Sequence, residues 1–406
     1  MPAPNLQLLP QRWHRSPRRW GHSLHSLCSY FAMFPPQIPY IFIRWLTERN
    51  DLVYDPFCGR GTTLLEACRT GRTGFGSDAN PLAVTLSNAK TNPPTRELLT
   101  TRLNNLKDSI YEVDTSNIHD DISMLFSTQT LNQLCWLKDN LTDTHVDNFI
   151  KATLLGIMHD KYTPGRPPRG LSISMPNTFS MSPNYVRNYI KKHALEAPIN
   201  DVFETIERKL SRIDLPTEFN QINQGSAWLQ DSRNTKPIPT LDGKVKLIFT
   251  SPPYLRVIKY GQYNWIRLWL LNESPQQVDQ NLVSTQSLSK YLNFISESLE
   301  AFALRLHEDG YLCLMVGDVK KPGSNEHINL IEHIWTEVAS QLGWYKVAVI
   351  VDRLPVKHKV SRIWKSTRGD ATKTDRILIL SKSPRSASDL PPLAPIRWED
   401  SPTWWT

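Results

Sequence analysis

Apolar positions along this chain alternate between short solid runs and a helical period. Lys246-Leu247-Ile248-Phe249 and Leu52-Val53-Tyr54 read as strands buried on both faces, and the second is followed by helical spacing through Leu64, Leu65, Ala67 and Cys68. A further strand is predicted at Thr73-Gly74-Phe75-Gly76-Ser77, then a helix over 80–88 that breaks at Thr91-Asn92-Pro93-Pro94. From 97 to 215 the pattern is mainly helical, with helices expected at 96–111, 129–140, 146–161, 183–192 and 201–213. The last places Val202, Ile206, Leu210 and Ile213 on one face. After it, Phe219 to Ser226 reads as another strand and its turn. A helix follows carrying Tyr260, Tyr263, Trp265, Trp269 and Leu270.

Two of the strands end in turns that suggest chemistry. Thr250-Ser251-Pro252-Pro253-Tyr254 closes one strand with a rigid polar segment, where open α/β sheets bind their ligands. Asp55-Pro56-Phe57-Cys58-Gly59-Arg60-Gly61-Thr62-Thr63 closes another and opens a helix. Gly59 and Gly61 permit close backbone approach to a ligand, and the helix amino end offers unpaired N–H groups. Asp78 ends the next strand, 23 positions after Asp55. An acid about 20 residues past a glycine turn is placed to hold the ribose hydroxyls of a nucleoside-bearing cofactor.

Together these two motifs resemble the amino-group DNA methyltransferases, which use S-adenosylmethionine to methylate an exocyclic base nitrogen. Weaker likeness extends to Met33-Phe34-Pro35-Pro36-Gln37 with the helix Ile38 to Leu46, to Gly310 through Asp318, and to Arg376 through Leu380. The resemblance implies a Rossmann-like α/β methyltransferase fold, a doubly wound sheet with a mainly helical inserted module. It implies a core of residues 1–90 and 216–385, an insertion of 91–215 and a Pro/Ser-rich tail of 386–406. It further implies a cofactor site of Asp55, Phe57, Gly59, Gly61, Thr62 and Asp78, and a catalytic segment of Ser251, Pro252, Pro253 and Tyr254. Ser226 or Asp231 is a candidate for the cofactor's adenine.

The chemistry explains the residue types. An aromatic amine is a poor nucleophile because its lone pair is delocalised into the ring. In the family picture the Ser251 hydroxyl and Pro252 carbonyl accept its two hydrogens and localise that pair, the prolines hold these acceptors rigid, and Tyr254 stacks on an extruded base. No metal is called for. A serine at 251 accompanies cytosine N4 methylation in the resembling family, where aspartate or asparagine accompanies adenine N6. The cofactor motif here precedes the catalytic motif, the reverse of many cytosine N4 enzymes. Adenine N6 in DNA, guanine N2 in RNA, and a non-catalytic nucleic-acid-binding protein of the same fold stay open as alternatives.

The net charge of +8 implies an acidic partner, and its distribution matters more than its size. Arg12, Arg15, Arg18 and Arg19 cluster with Trp13 and Trp20. The window 161–192 holds no acidic residue, and Arg353, Lys357, Lys359, Arg362, Lys365 and Arg368 form a third basic group. Such stretches suit a surface that tracks phosphates of DNA, and Arg166, Arg169, Asn177, Tyr185, Lys359 and Arg362 are the candidate contacts. The insertion reads as a target-recognition module, or alternatively as a cap over the cofactor pocket. With 40% hydrophobic and 21% charged residues the chain is of soluble globular type, and no apolar segment approaches the ~20 residues of a membrane span. Five scattered cysteines without a Cys-x-x-Cys pair suggest reduced thiols, a cytoplasmic setting and no zinc. A restriction endonuclease acting separately is a possible partner.

Overall fold

Among the described residues there are ten strands, the longer ones built on apolar runs: β1 (Leu6–Leu8), β2 (Leu52–Asp55), β3 (Thr73–Asp78), β4 (Ser226–Leu229), β5 (Val245–Thr250), β6 (Leu306–Gly317), β7 (Val319–Lys320), β8 (His327–Ile328), β9 (Tyr345–Asp352) and β10 (Asp375–Ser381). The computed structural model describes residues 6–8, 21–30, 33–160, 168–175, 180–217, 225–253, 255, 258–320, 327–352 and 375–393. Eight strands form one sheet in the order β1-β9-β10-β6-β5-β2-β3-β4, while β7 and β8 pair separately. From β4 through β6 all neighbours are parallel, and β10 runs antiparallel to both β6 and β9. The order reverses between β2 and β5. That reversal opens a crevice at their carboxyl ends, as doubly wound sheets do.

Helices in chain order are α1 (Gln37–Leu46), α2 (Thr62–Arg69), α3 (Pro81–Thr91), α4 (Arg96–Asp108), α5 (Asp120–Ser123), α6 (Thr128–Asn140), α7 (His145–Ile157), α8 (Pro183–His193) and α9 (Val202–Leu210). After the fifth strand come α10 (Tyr260–Tyr263), α11 (Trp265–Leu270), α12 (Pro275–Asn281), α13 (Leu288–Arg305) and α14 (Leu330–His333). Period-two alternation divides the sheet between two cores. Leu247, Phe249, Cys313, Met315 and Ile377 pack with α1, while Ile248, Leu312, Leu314 and Leu378 pack with α13 and α14.

The expected helices of the insertion all form, and four start on side-chain caps. Thr95, Ser127, Thr144 and Asp201 accept from the backbone N–H groups of Leu98, Thr130, Asp147 and Glu204. Its core is shared rather than private. Phe149, Leu154 and Ile206 lie in one cluster with Leu82 and Leu86 of α3, Leu24 and Leu27 before α1, and Ile266 and Leu268 of α11.

Two expectations shift. The strand expected at 219–226 begins at Ser226 instead, pairing Phe75 with Ser226 and Asp78 with Leu229, and 218–224 lie outside the described residues. An edge strand with Leu229 60% exposed carries little apolar signal. The helix expected through Tyr260 to Leu270 breaks at Asn264 into α10 and α11, with Asp279 accepting from the N–H groups of Gly261 and Gln262. The tail docks on α1 over its described part: the Trp45 indole donates to the Pro391 carbonyl at 2.6 Å, and Leu390 and Leu393 pack against the α1 core.

Candidate active site

The last residues of β2 and β5 are joined by one carboxylate. Asp55, fully buried, accepts from the Thr250 hydroxyl at 2.6 Å, the Thr63 hydroxyl at 2.6 Å and the Phe57 N–H at 3.1 Å. It thereby locks the strand end before the glycine turn to the strand end before Ser251. Burial raises its pKa to about 6 against the pull of these donors. Asp78, at the end of β3, accepts from the Gly59 N–H at 2.9 Å and the Asn80 N–H at 2.9 Å, so it braces the glycine turn from the other side. Burial lifts it to about 6 as well.

Between these carboxyl ends lies a cleft whose open space, mouth included, is about 770 Å³. Phe57, Gly59 and Asp78 line it from the glycine-turn side, and Ser251, Pro252 and Pro253 from the β5 side. The structure thus brings both motifs to one space. Asp55, Gly61 and Thr62 do not line it. Asp55 works behind the wall as described, and Thr62 is buried at the start of α2. Gly61 is held at φ 72° with its Cα side against α3, where an added Cβ would stand 2.7 Å from the Ser87 hydroxyl and 2.8 Å from its Cα. Gly61→Ala is therefore expected to cost about 2 kcal/mol through left-handed strain and overpacking; thermal unfolding measures it, and an unchanged midpoint would contradict this account.

Phe57 packs on Phe294 at 5.7 Å and Phe302 at 6.1 Å, giving the cleft an apolar floor. Cys58 is buried, and its thiol is pushed well above the ordinary range, which suits a packing residue rather than a nucleophile. Asp231 lines the cleft and is paired with Arg233 at 2.7 Å, whereas Ser226 opens β4 and does not line it.

Several wall residues escape a local reading. Tyr30, from the segment before α1, lines the cleft with its hydroxyl accepting from the Asn80 amide at 3.0 Å. Its ring stacks on Tyr260, with centroids 6.3 Å apart. Leu282, Val283 and Phe294 complete the far side. Asn80 alone left a local signal: an asparagine before Pro81 caps α3, accepting from the Leu82 N–H at 3.1 Å. By contrast, Phe34 of the segment likened to the amino-terminal cofactor motif packs against Phe249 at 5.8 Å, and that segment does not line the cleft.

Of the candidate nucleic-acid contacts, Arg166, Asn177, Lys359 and Arg362 lie outside the described residues, as does the catalytic candidate Tyr254. Arg169 is exposed, and its N–H donates to Asp160 at 2.9 Å. Tyr185 is 44% exposed on α8 and stacks on Tyr189 with centroids 6.3 Å apart. Neither borders the cleft. Among the described residues there is no cluster of His, Cys, Asp and Glu able to hold a metal, and no helix is long and apolar enough to cross a membrane.

The cleft's residues fit a nucleoside-bearing sulfonium: the carboxylates of Asp78 and Asp231, the glycine turn at Gly59, and an aromatic floor. Residues 7–89 match a family model described as DNA methylase. The likeness to a DNA methylase thus covers the glycine turn and Asp78. It is similar to the Type II methyltransferase M.MvaI of Kocuria varians, 24% identical over 70% of this chain and 68% of that protein. Solved structures align at lower similarity. A TehB-like SAM-dependent methyltransferase from Corynebacterium glutamicum is 7% identical with a TM-score of 0.30, over 85% of this chain and 87% of that one. The rRNA methyltransferase aviRa of Streptomyces viridochromogenes is 12% identical with a TM-score of 0.33, over 90% and 92%.

Proposed function

We propose that this methylase transfers the methyl group of S-adenosylmethionine to the N4 amino group of cytosine in DNA, with the target base turned out of the duplex into the cleft. The observation that carries this reading is the shared cleft: Ser251-Pro252-Pro253 faces the same space as Phe57, Gly59 and Asp78. Bound there, the cofactor supplies an electrophilic methyl. Asp78 orients its ribose, and the floor of Phe57 and Phe294 keeps water from the reacting centre. The Ser251 hydroxyl and Pro252 carbonyl accept the amino hydrogens of the base and turn the nitrogen's lone pair toward the methyl. Positioning of this kind supplies most of the rate when no covalent intermediate is formed. A serine at this position accompanies cytosine N4 methylation in the resembling family, which favours cytosine over the adenine alternative in this reading.

Topology supports a nucleic-acid partner on the same side. β1 ends at Leu8, β9 ends at Asp352 and β10 begins at Asp375, all at the carboxyl edge of the sheet where the cleft opens. The basic stretches 12–19 and 353–368 lie in sequence directly after or between those ends.

The deciding experiment incubates the purified chain with isotopically labelled cofactor and either DNA or RNA, digests the product to nucleosides and identifies the labelled species by mass spectrometry. Label on N4-methylcytosine from DNA is the expected result. Label on N6-methyladenine would overturn the base assignment, label in RNA the substrate class, and no label in either the activity itself.

A further inference from the structure

Arg267 of α11 is 1% exposed, yet no carboxylate among the described residues pairs with it. Its Nε donates to the Leu155 carbonyl at 3.0 Å. Its Nη1 donates to the Ser29 carbonyl at 3.1 Å and to Asn264 Oδ1 at 2.9 Å, and its Nη2 to Ser29 Oγ at 2.9 Å. Every acceptor is neutral. Arg305, as deeply buried, is neutralised by Asp242. A buried cation held only by dipoles costs more than an apolar side chain of its size, so geometry is the benefit it brings.

The acceptors come from three separate segments, and two of them carry cleft walls. Ser29 adjoins Tyr30. Asn264 donates through Nδ2 to the carbonyl of Tyr260 at 2.9 Å. Those two rings stack across the cleft wall at 27°. On its far side Tyr30 is held by the side-chain amide of Asn80, a residue whose backbone N–H donates to Asp78 at 2.9 Å. The third segment is α7 of the insertion, which meets the chain before α1 backbone to backbone: a Cβ on Gly156 would stand 1.9 Å from the Leu27 carbonyl. A planar fork with fixed donor directions can bridge three such partners, and an ammonium cannot.

We propose that Arg267 is a positioning residue that sets the Tyr30–Tyr260 pair and ties it to α7, so that cofactor affinity depends on a side chain that does not border the cleft. The cofactor arm of the test rests on the reading of this cleft given above; the exchange arm does not.

Two variants serve, Arg267→Lys and the milder Ser29→Ala, which removes one acceptor and keeps the fold testable if the lysine variant does not fold. Hydrogen exchange read by mass spectrometry is expected to quicken in peptides covering 24–30 and 258–264 and to stay unchanged over β2 and β5. Titration with S-adenosylmethionine is expected to show Kd raised about tenfold in Arg267→Lys, and less in Ser29→Ala, at unchanged stoichiometry. A merely destabilised protein would lose binding sites and keep its Kd. Exchange that quickens evenly along the chain, exchange that is unchanged, or wild-type Kd in both variants overturns the proposal. If the unaltered chain binds no cofactor, the cofactor reading fails while the exchange pattern still decides the role of Arg267.

Discussion

Ser251→Ala is expected to lower the rate of methyl transfer about a hundredfold while leaving S-adenosylmethionine affinity close to that of the unaltered chain. Ser251 stands at the β5 side of the cleft, across from the carboxylate and glycine backbone assigned to the cofactor. Its hydroxyl can act only once a base amine is present, so its loss falls on the transition state; losing one preorganised hydrogen-bonding group of this kind costs about 10²–10³ in rate. The backbone should hold, because Pro252, Pro253 and the Thr250–Asp55 bond stay in place. Single-turnover methylation with a parallel calorimetric titration separates the two quantities. Equal loss of both would move Ser251 to the cofactor half of the site, and no loss would remove it from the chemistry.

Asp78→Ala is expected to do the opposite, weakening cofactor binding about a hundredfold through loss of a charged acceptor. Part of that loss comes through the protein itself, since Asp78 also braces the Gly59 and Asn80 N–H groups. The same carboxylate makes binding pH-dependent. Burial raises it from 3.8 to about 6, so the charged acceptor is present above about 7 and disappears as pH falls through about 6. Affinity should therefore be level from pH 7 upward and fall about tenfold by pH 5. Calorimetry at the two ends checks this, and an unchanged Kd in the alanine variant or a flat pH profile would remove the ribose role. For folding the sign is reversed. The unfolded chain releases this proton near 3.8 and the folded chain near 6, so Asp55 and Asp78 draw stability away as pH rises across that window.

The elements that position the chemistry were readable because their signals are local. A solid apolar run, a glycine turn, a helical period and an acid at the next strand end all lie within 52–78, and the described strands and helices start within a residue or two of where these patterns place them. The helices of 96–210 were equally legible, from their apolar spacing. What misled was weak or shared signal: β4 is a short edge strand with an exposed Leu229, and the aromatic run 260–270 is broken at Asn264, which bonds the Tyr260 carbonyl and Arg267, while Asp279 holds the N–H groups of Gly261 and Gln262.

The walls of the cleft are the clearest case of what the sequence could not express. Phe57, Asp78 and Ser251 announce themselves by the turns they occupy. Tyr30, Val283 and Phe294 do not, because each comes from a different segment and meets the others only once the core of α7, α11 and the chain before α1 and the core around α13 have both assembled. By itself, then, the sequence determined the strand-turn-helix units and the residue types at their carboxyl ends, since these follow from short-range sterics and hydrogen bonding. Tertiary structure alone decided which side chains close around them, and that Asp55 would serve as a brace rather than a wall, because those outcomes depend on packing between residues as far apart as 55 and 250.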